Sequence, residues 1–530
     1  MKLSDLVLEA RPQSNKAGAP TVTVSDETAL DRFLILNSLE PTYYADQSNQ
    51  LSEFKTLLDR CLKNDAAKTI QTIIDTSISN RPIKRDPGIL ALAYCWNHGD
   101  LRTRQTIEDN FGRVIRTGTD LFTFCENLEA SWGSSAQRMV SDWYNKKQDK
   151  ALVYQLIKYR NRNGWRHEDV FSLSHPKPQN DFREQLYRWV VGKGPLPFIF
   201  GDATSFEAMA QLEAFNTAQK TTREEELIHA IGTGRLTWEM IPTEMMTPKV
   251  WEVLIPDMGL TAMIRSLVKL TTNGVLTPTS KSTSLVLEKL ANKEALKNAR
   301  IHPVALLLAL GQYRQGYNDR RASWTPITSI CNALEAAFYN AFAYLPTSGK
   351  KIWVCLDVSG SMTYPCYGSL NCREVSVAIA LAIKASEPQA EIYTFSDSTK
   401  ATQPLTWEEC RIPKLTALEL PDNPTLGQAV EATSRLRFGG TNCAIPMLHA
   451  LERKEKVDAF LIVTDMEHWA GNITPMEALA AYTDFHPQTI AVAAALTATT
   501  YSIFGGEYNT LNVVGTDPQI PALITNFVGG

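Results

Sequence analysis

One carboxylate and two hydroxyls occupy alternate positions in "LDVSGSM": Asp357, Ser359 and Ser361, directly after the apolar run "IWVCL". In extended chain, positions i, i+2 and i+4 face the same way, so the three side chains converge. Gly360 permits the tight bend. One carboxylate with two hydroxyl oxygens is hard-cation chemistry and suits Mg²⁺, which keeps several waters and few protein charges. Thr441 in the Gly-flanked "FGGTNC" and Asp465 in "LIVTDME", again after an apolar run, extend the set. Asp-x-Ser-x-Ser alone is a weak signal, because Asp and Ser populate turns; the ordered five are a strong one. His468, beside Asp465, reads as a surface residue. No G-x-x-x-x-G-K-[ST] phosphate cradle occurs, nor the second carboxylate cluster of a two-metal nuclease. No general base accompanies the set on these strands.

A second chemistry lies in "YQLIKYRNRNGWRHEDVFSLSHPKP", residues 154–178. Leu152, Val153, Leu156 and Ile157 form one helical stripe, and Lys158 and Arg162, four apart, share the opposite face. Gly164 is placed to end that helix. A second helix is expected over about 166–174, stopped by Pro176, with His175 and Lys177 at its exit. Tyr159 and Trp165 lie nearby. Cations beside planar rings suit single-stranded RNA, where phosphates need charge and splayed bases need stacking. A solvated helix face over core aromatics gives the same pattern. Two further basic patches follow. Arg265 and Lys269 fall opposite the arc of Met263, Ile264, Leu267 and Leu270. Lys297, Arg300 and His302 cluster before a helix that Pro303 can open.

The elements that position these residues fall into two kinds. From about 26 to 345, apolar residues recur at three and four and strand patterns are rare, as in a helical repeat array without a clean period. "LSEFKTLLDRCLK" and "AAKTIQTIIDTSIS" are two closely spaced amphipathic helices. From Gly349 the pattern changes. Apolar runs at 350–359, 390–397, 458–467, 489–496 and 511–515 alternate with helical segments, which indicates a doubly wound α/β unit with a parallel sheet. The expected domains are 1–345 and 346–530. In such sheets ligands bind beyond the carboxyl ends of the strands, where Asp357 and Asp465 stand.

Composition agrees with a folded, multidomain chain: 530 residues, 44% apolar and 21% charged. Net charge is −4, so the whole molecule is no cationic nucleic-acid binder. It is uneven, however. Residues 346–530 carry 12 Lys and Arg against 19 Asp and Glu, while the first 345 carry 41 against 38. Nine cysteines without a CxxC pair argue for a reducing compartment, with Cys366 and Cys372 as free thiols. The start of the chain has no signal-peptide pattern, and no run approaches the ~18 apolar residues of a membrane span. A soluble, cytoplasmic protein is expected.

"KYRNRNGWRHEDV" followed by "LSHPKP" resembles the Ro autoantigen family, whose helical portion is the TROVE module. "RFLILNSLEPTYYADQ", "GTDLFTF", "DWYN", "LTAMIRSLVKLT" and "ARIHPVALLLAL" resemble Ro segments in the same order, over nearly the whole chain. "DVSGSM", "GGTNC" and "VTDME" match the metal-ion-dependent adhesion site of von Willebrand factor A domains. The likeness is greatest to the bacterial members. It implies an all-α, HEAT-like helical-repeat ring, monomeric, closed by a von Willebrand factor A domain. It further implies Mg²⁺ held by Asp357, Ser359, Ser361, Thr441 and Asp465, with a coordination position open to a partner's acidic side chain. RNA-contacting positions of the family fall on Lys158, Arg162 and His175. Single-stranded 3′ ends of misfolded RNAs would enter the central hole, and small noncoding Y RNA would bind the outer rim. The family also implies work with a 3′-to-5′ exoribonuclease such as polynucleotide phosphorylase, and a part in stress survival. The alternative is a protein-adhesion scaffold in which the metal site captures an acidic partner and RNA is secondary.

Overall fold

The computed structural model describes residues 13–15, 20–36, 47–79, 81–82, 84–129, 132–194, 203–299, 301, 303–317, 323–340, 347–367, 370–396, 415–421, 424–436, 439–471, 473–505 and 509–516. Between 26 and 340 helix follows helix, each burying one stripe. Ser134–Asn145 shows the rule: Ala136, Met139, Val140, Trp143 and Tyr144 are inside, at spacings of three and one that sum to one face. Local chemistry sets the ends. Gly118–Glu126 opens on a capping box in which the Thr117 hydroxyl accepts from the Asp120 N–H and the Asp120 carboxylate accepts from the Thr117 N–H. The same carboxylate accepts from Arg85 Nη1 at 2.7 Å, which ties the start of helix Asp86–His98 to it.

The two amphipathic segments at 51–63 and 66–79 belong to one continuous stretch, Gln47–Ile78, broken by a kink at Asp65 (φ −154°, ψ 89°). Asp65 Oδ1 accepts from the Lys68 N–H at 2.9 Å, so it caps the second half as an N-cap residue would.

All five apolar runs of the second part are strands. The sheet runs Thr510–Val514, Ile490–Ala495, Ala459–Thr464, Ile352–Asp357, Glu391–Phe395, then the short Thr416–Ala417. The first five are parallel and the last antiparallel. Alternation divides the strands between two cores. Val354, Leu356, Leu461, Val463 and Val492 join the core shared with the helical array. Trp353, Cys355, Phe460, Ile462 and Ala491 join a second core on the other face. Strand Ile352–Asp357 is central, and the chain winds outward from it in both directions, so its carboxyl end is the switch point of the sheet.

Both ends of the helical array seat on this α/β unit. Strand Pro20–Thr23 pairs antiparallel with Tyr501–Ser502. Arg32, on the first helix, is fully buried and donates to the carbonyls of Tyr501 and Thr499 and to the Ser502 hydroxyl. At the other end, Glu335 on helix Thr328–Asn340 accepts from the Leu426 N–H at 2.5 Å. The chain path therefore closes on itself. The expected domain boundary at 345/346 lies outside the described residues. Among the described residues seven cysteines, Cys372 among them, are buried. Among the described residues no helix is long and apolar enough to cross a membrane.

Candidate metal centre and nucleic-acid interface

Asp357, Ser359, Ser361, Thr441 and Asp465 are all buried. Asp357 ends its strand, and Oδ1 accepts from the Ser359 N–H at 2.8 Å, which turns the loop back over the strand end. Ser359 and Ser361 hydroxyls stand 3.2 Å apart. Thr464 donates its hydroxyl to Asp357 Oδ2 at 2.6 Å; it is a neighbour that motif spacing does not single out. The Thr441 carbonyl accepts from the N–H groups of Trp469 and Ala470, both at 3.0 Å, and so ties its loop to the segment after Asp465.

Burial and then the Asp465 charge push the Asp357 carboxyl well above the usual carboxylate range. Burial raises Asp465 likewise, against hydrogen bonds from Ser361 and the Glu467 N–H. Two carboxylates excluded from water and repelling one another call for a positive charge. The Thr441 hydroxyl oxygen is buried without a hydrogen-bond partner. An orphaned hydroxyl on a loop tied to the segment after Asp465 fits a hard divalent cation. Among the described residues no group of three or more His, Cys, Asp or Glu gathers; the five side chains named here offer oxygen atoms only.

His468 corrects an expectation: it is a buried residue, not a surface one. Its Nδ1 accepts from the Cys443 N–H at 3.1 Å and its carbonyl accepts from Asn15 Nδ2 at 2.6 Å. Burial lowers its pKa to about 4, so it braces the loops as a neutral ring.

The basic segment also differs from its expected form. Helix Asp149–Lys158 stops at Lys158, and Arg162 lies on a hairpin in which Asn161 pairs with Arg166 and Arg162 with Trp165. The cause is Asn163–Gly164, both at positive φ (54° and 80°), the residue pair suited to a two-residue hairpin turn. Arg162 does not share a helix face with Lys158; its Nη2 reaches back to the Lys158 carbonyl at 3.4 Å instead. Helix His167–Ser174 follows, ended by His175 in the left-handed conformation (φ 46°). His175 and Lys177 are exposed.

Lys158 is partly buried. Nζ donates to the Tyr154 hydroxyl at 2.8 Å and stands 3.7 Å from Glu239 Oε1. On helix Leu260–Thr272 the apolar arc is inside as expected, Arg265 is exposed, and Lys269 Nζ lies 5.7 Å and 5.4 Å from the ring centres of Trp238 and Trp251. Trp238 and Glu239 had no visible part in either patch, because their proximity to the two lysines is tertiary. Arg300 and His302 lie outside the described residues; Lys297 is exposed and Pro303 opens a helix as expected.

The TROVE domain family matches residues 13–229 and 234–318, and the Ro60 vWA domain family matches 351–528. The chain belongs to the Ro60 family. Its relatives include the RNA-binding protein RO60 of Caenorhabditis elegans, 30% identical over 97% of this chain and 90% of that one. The RNA-binding protein RO60 of Deinococcus radiodurans is 31% identical over 99% and 96%. The crystal structure of the Deinococcus radiodurans RO (RSR) protein superposes with a TM-score of 0.71 at 30% identity, covering 95% of this chain and 99% of that one. The Ro60 architecture, TROVE helices with a vWA domain, is thus present from end to end.

Proposed function

We propose that this Ro60-family protein is a non-catalytic RNA-binding ring. Small noncoding Y RNA binds its outer surface through Lys158, Arg162 and His175, with Arg265, Lys269 and Arg300 extending the basic surface. Single-stranded 3′ ends of misfolded or immature RNAs enter the passage enclosed by the helices. The protein acts in RNA quality control and processing beside a 3′-to-5′ exoribonuclease, in the cytoplasm and under stress. The observation that carries this reading is closure: Arg32 and Glu335 seat opposite ends of the helical array on one α/β unit. Relatives named RNA-binding proteins, matched over 90% and 96% of their length, support it. Sequencing the RNA that co-purifies with the untreated protein tests it. Small structured RNAs and 3′-extended precursors are expected; a preparation free of RNA after gentle isolation overturns it.

A second reading is favoured by the orphaned Thr441 hydroxyl and by Trp469, half exposed and hydrogen-bonded through its N–H to the Thr441 carbonyl. Asp357, Ser359, Ser361, Thr441 and Asp465 hold Mg²⁺, and the vWA domain captures an acidic protein partner. When bound, the ion supplies an open position for a hard anionic oxygen. Pull-down before and after RNA digestion, with Asp357→Ala as control, separates protein capture from RNA binding.

A further inference from the structure

Lys158 and Lys269 come from helices far apart in the chain, yet both reach one short 3-10 turn, Trp238–Met240. Lys269 Nζ lies over the Trp238 ring, and Lys158 Nζ faces Glu239. Trp238 is only partly buried.

Glu239 is poorly satisfied for a carboxylate so enclosed. Its side chain is 15% exposed, and Oε1 stands 3.7 Å from Lys158, beyond hydrogen-bond range. Oε2 is shielded from water with no hydrogen bond, and so are Thr237 Oγ1 and Trp238 Nε1 on the same turn. Orphaned polar atoms gathered in one place cost stability and ask for an explanation.

We propose that this turn is a nucleotide subsite for an unpaired stretch of the RNA bound at the Lys158 surface. Trp238 stacks a base, Lys158 and Lys269 take the flanking phosphates, and Glu239 holds the phosphate position at Lys158 until RNA displaces it. The proposal rests on the reading of Lys158 as an RNA contact. One cation over the indole and a second beside the adjacent carboxylate match the charge and stacking needs of a nucleotide better than they match a lone protein carboxylate. Because an internal anion must leave first, a strand that brings both base and phosphate is favoured over any anion that brings charge alone.

The test is fluorescence polarisation of the full chain with a fluorescein-labelled oligoadenylate of about a dozen nucleotides, at several salt concentrations. Glu239→Gln is expected to tighten binding about three- to tenfold. It should also steepen the salt dependence by about 0.7, the value of one single-strand phosphate contact. Trp238→Ala is expected to weaken binding about fivefold or more, and Trp238→Phe, which keeps a ring, to retain most of it. Lys158→Ala with Glu239→Gln should bind no better than Lys158→Ala. If Lys158→Ala weakens binding but Glu239→Gln does not tighten it, the subsite is wrong and the Lys158 reading stands. If neither variant moves oligoadenylate binding while Lys158→Ala with Arg162→Ala still weakens binding of structured small RNA, the subsite is wrong and the Lys158 reading stands; if structured RNA binding is unmoved as well, the Lys158 reading falls and takes the subsite with it. If Trp238→Phe loses as much as Trp238→Ala, stacking is overturned. Competition by polyglutamate as strong as by unlabelled RNA overturns the choice of RNA in favour of a protein partner.

Discussion

Arg32 Nη1 donates to the Tyr501 carbonyl at 2.6 Å, joining residues 469 apart in the chain. Burial lowers the Arg32 pKa to about 10, so the guanidinium remains charged at neutral pH and its contacts are charge-assisted. Arg32→Ala leaves the Thr499 and Tyr501 carbonyls without this donor and opens a cavity at the seam. A loss of about 3 kcal/mol in stability is expected. Thermal unfolding reads the loss, and small-angle scattering reads the opening of the closed path. An unchanged melting temperature and radius of gyration would show that the seam is held elsewhere.

At the candidate metal centre, stability and binding are expected to oppose each other. Asp357→Asn removes one of two repelling buried charges. The metal-free variant is expected to be about 1–2 kcal/mol more stable than the native protein without metal. It should also lose its response to Mg²⁺. The native protein at a hundredfold excess of Mg²⁺ over its dissociation constant gains about 2.7 kcal/mol. Calorimetry with and without chelator measures both. A native protein indifferent to Mg²⁺ removes the metal from the account.

His167 carries a pH dependence unrelated to any ligand. Its ring is buried, hydrogen-bonded to the Tyr144 hydroxyl at 2.9 Å, and burial lowers its pKa to about 4. The folded state thus takes up its proton later than the unfolded chain. No stability is lost above the unfolded pKa of about 6.5, and it drains away as pH falls toward 4. From pH 7 to pH 5 the loss is about 2 kcal/mol. Denaturant unfolding at the two pH values should show this excess in the native protein and not in His167→Gln. Parallel pH slopes for the two proteins would contradict it.

Lys158→Ala with Arg162→Ala should weaken binding of structured small RNA and lower the salt slope by about one per lost phosphate contact. Filter binding at several salt concentrations checks this. Because Arg162 closes onto the Lys158 carbonyl, circular dichroism should accompany the measurement. A folded double variant with native affinity rules the patch out as an RNA contact.

Much of the fold was legible because its signals are local. The five parallel strands of the sheet are short, largely apolar runs, and the candidate metal donors ride on the ends or connecting loops of such runs. Arg162 was placed on a helix because its spacing from Lys158 is helical. Asn163–Gly164 was the contrary signal, and backbone conformation at those two residues overrode side-chain periodicity. His468 looked like a loop residue because nothing nearby in sequence reveals that Asn15 and Cys443 close over it.

The amino-acid order by itself determined where helices yield to strands, which side-chain oxygens stand at strand ends, and that the chain is of the Ro60 family. These depend on period and spacing within a few residues, which covalent geometry enforces. Only the tertiary structure decided that Arg32 meets Tyr501, that Thr441 is left with an orphaned hydroxyl, and that Lys158 and Lys269 share the Trp238–Glu239 turn. Such meetings are set by how the helical array packs and closes. They depend on the sum of many apolar contacts along the chain, and no short segment encodes that sum.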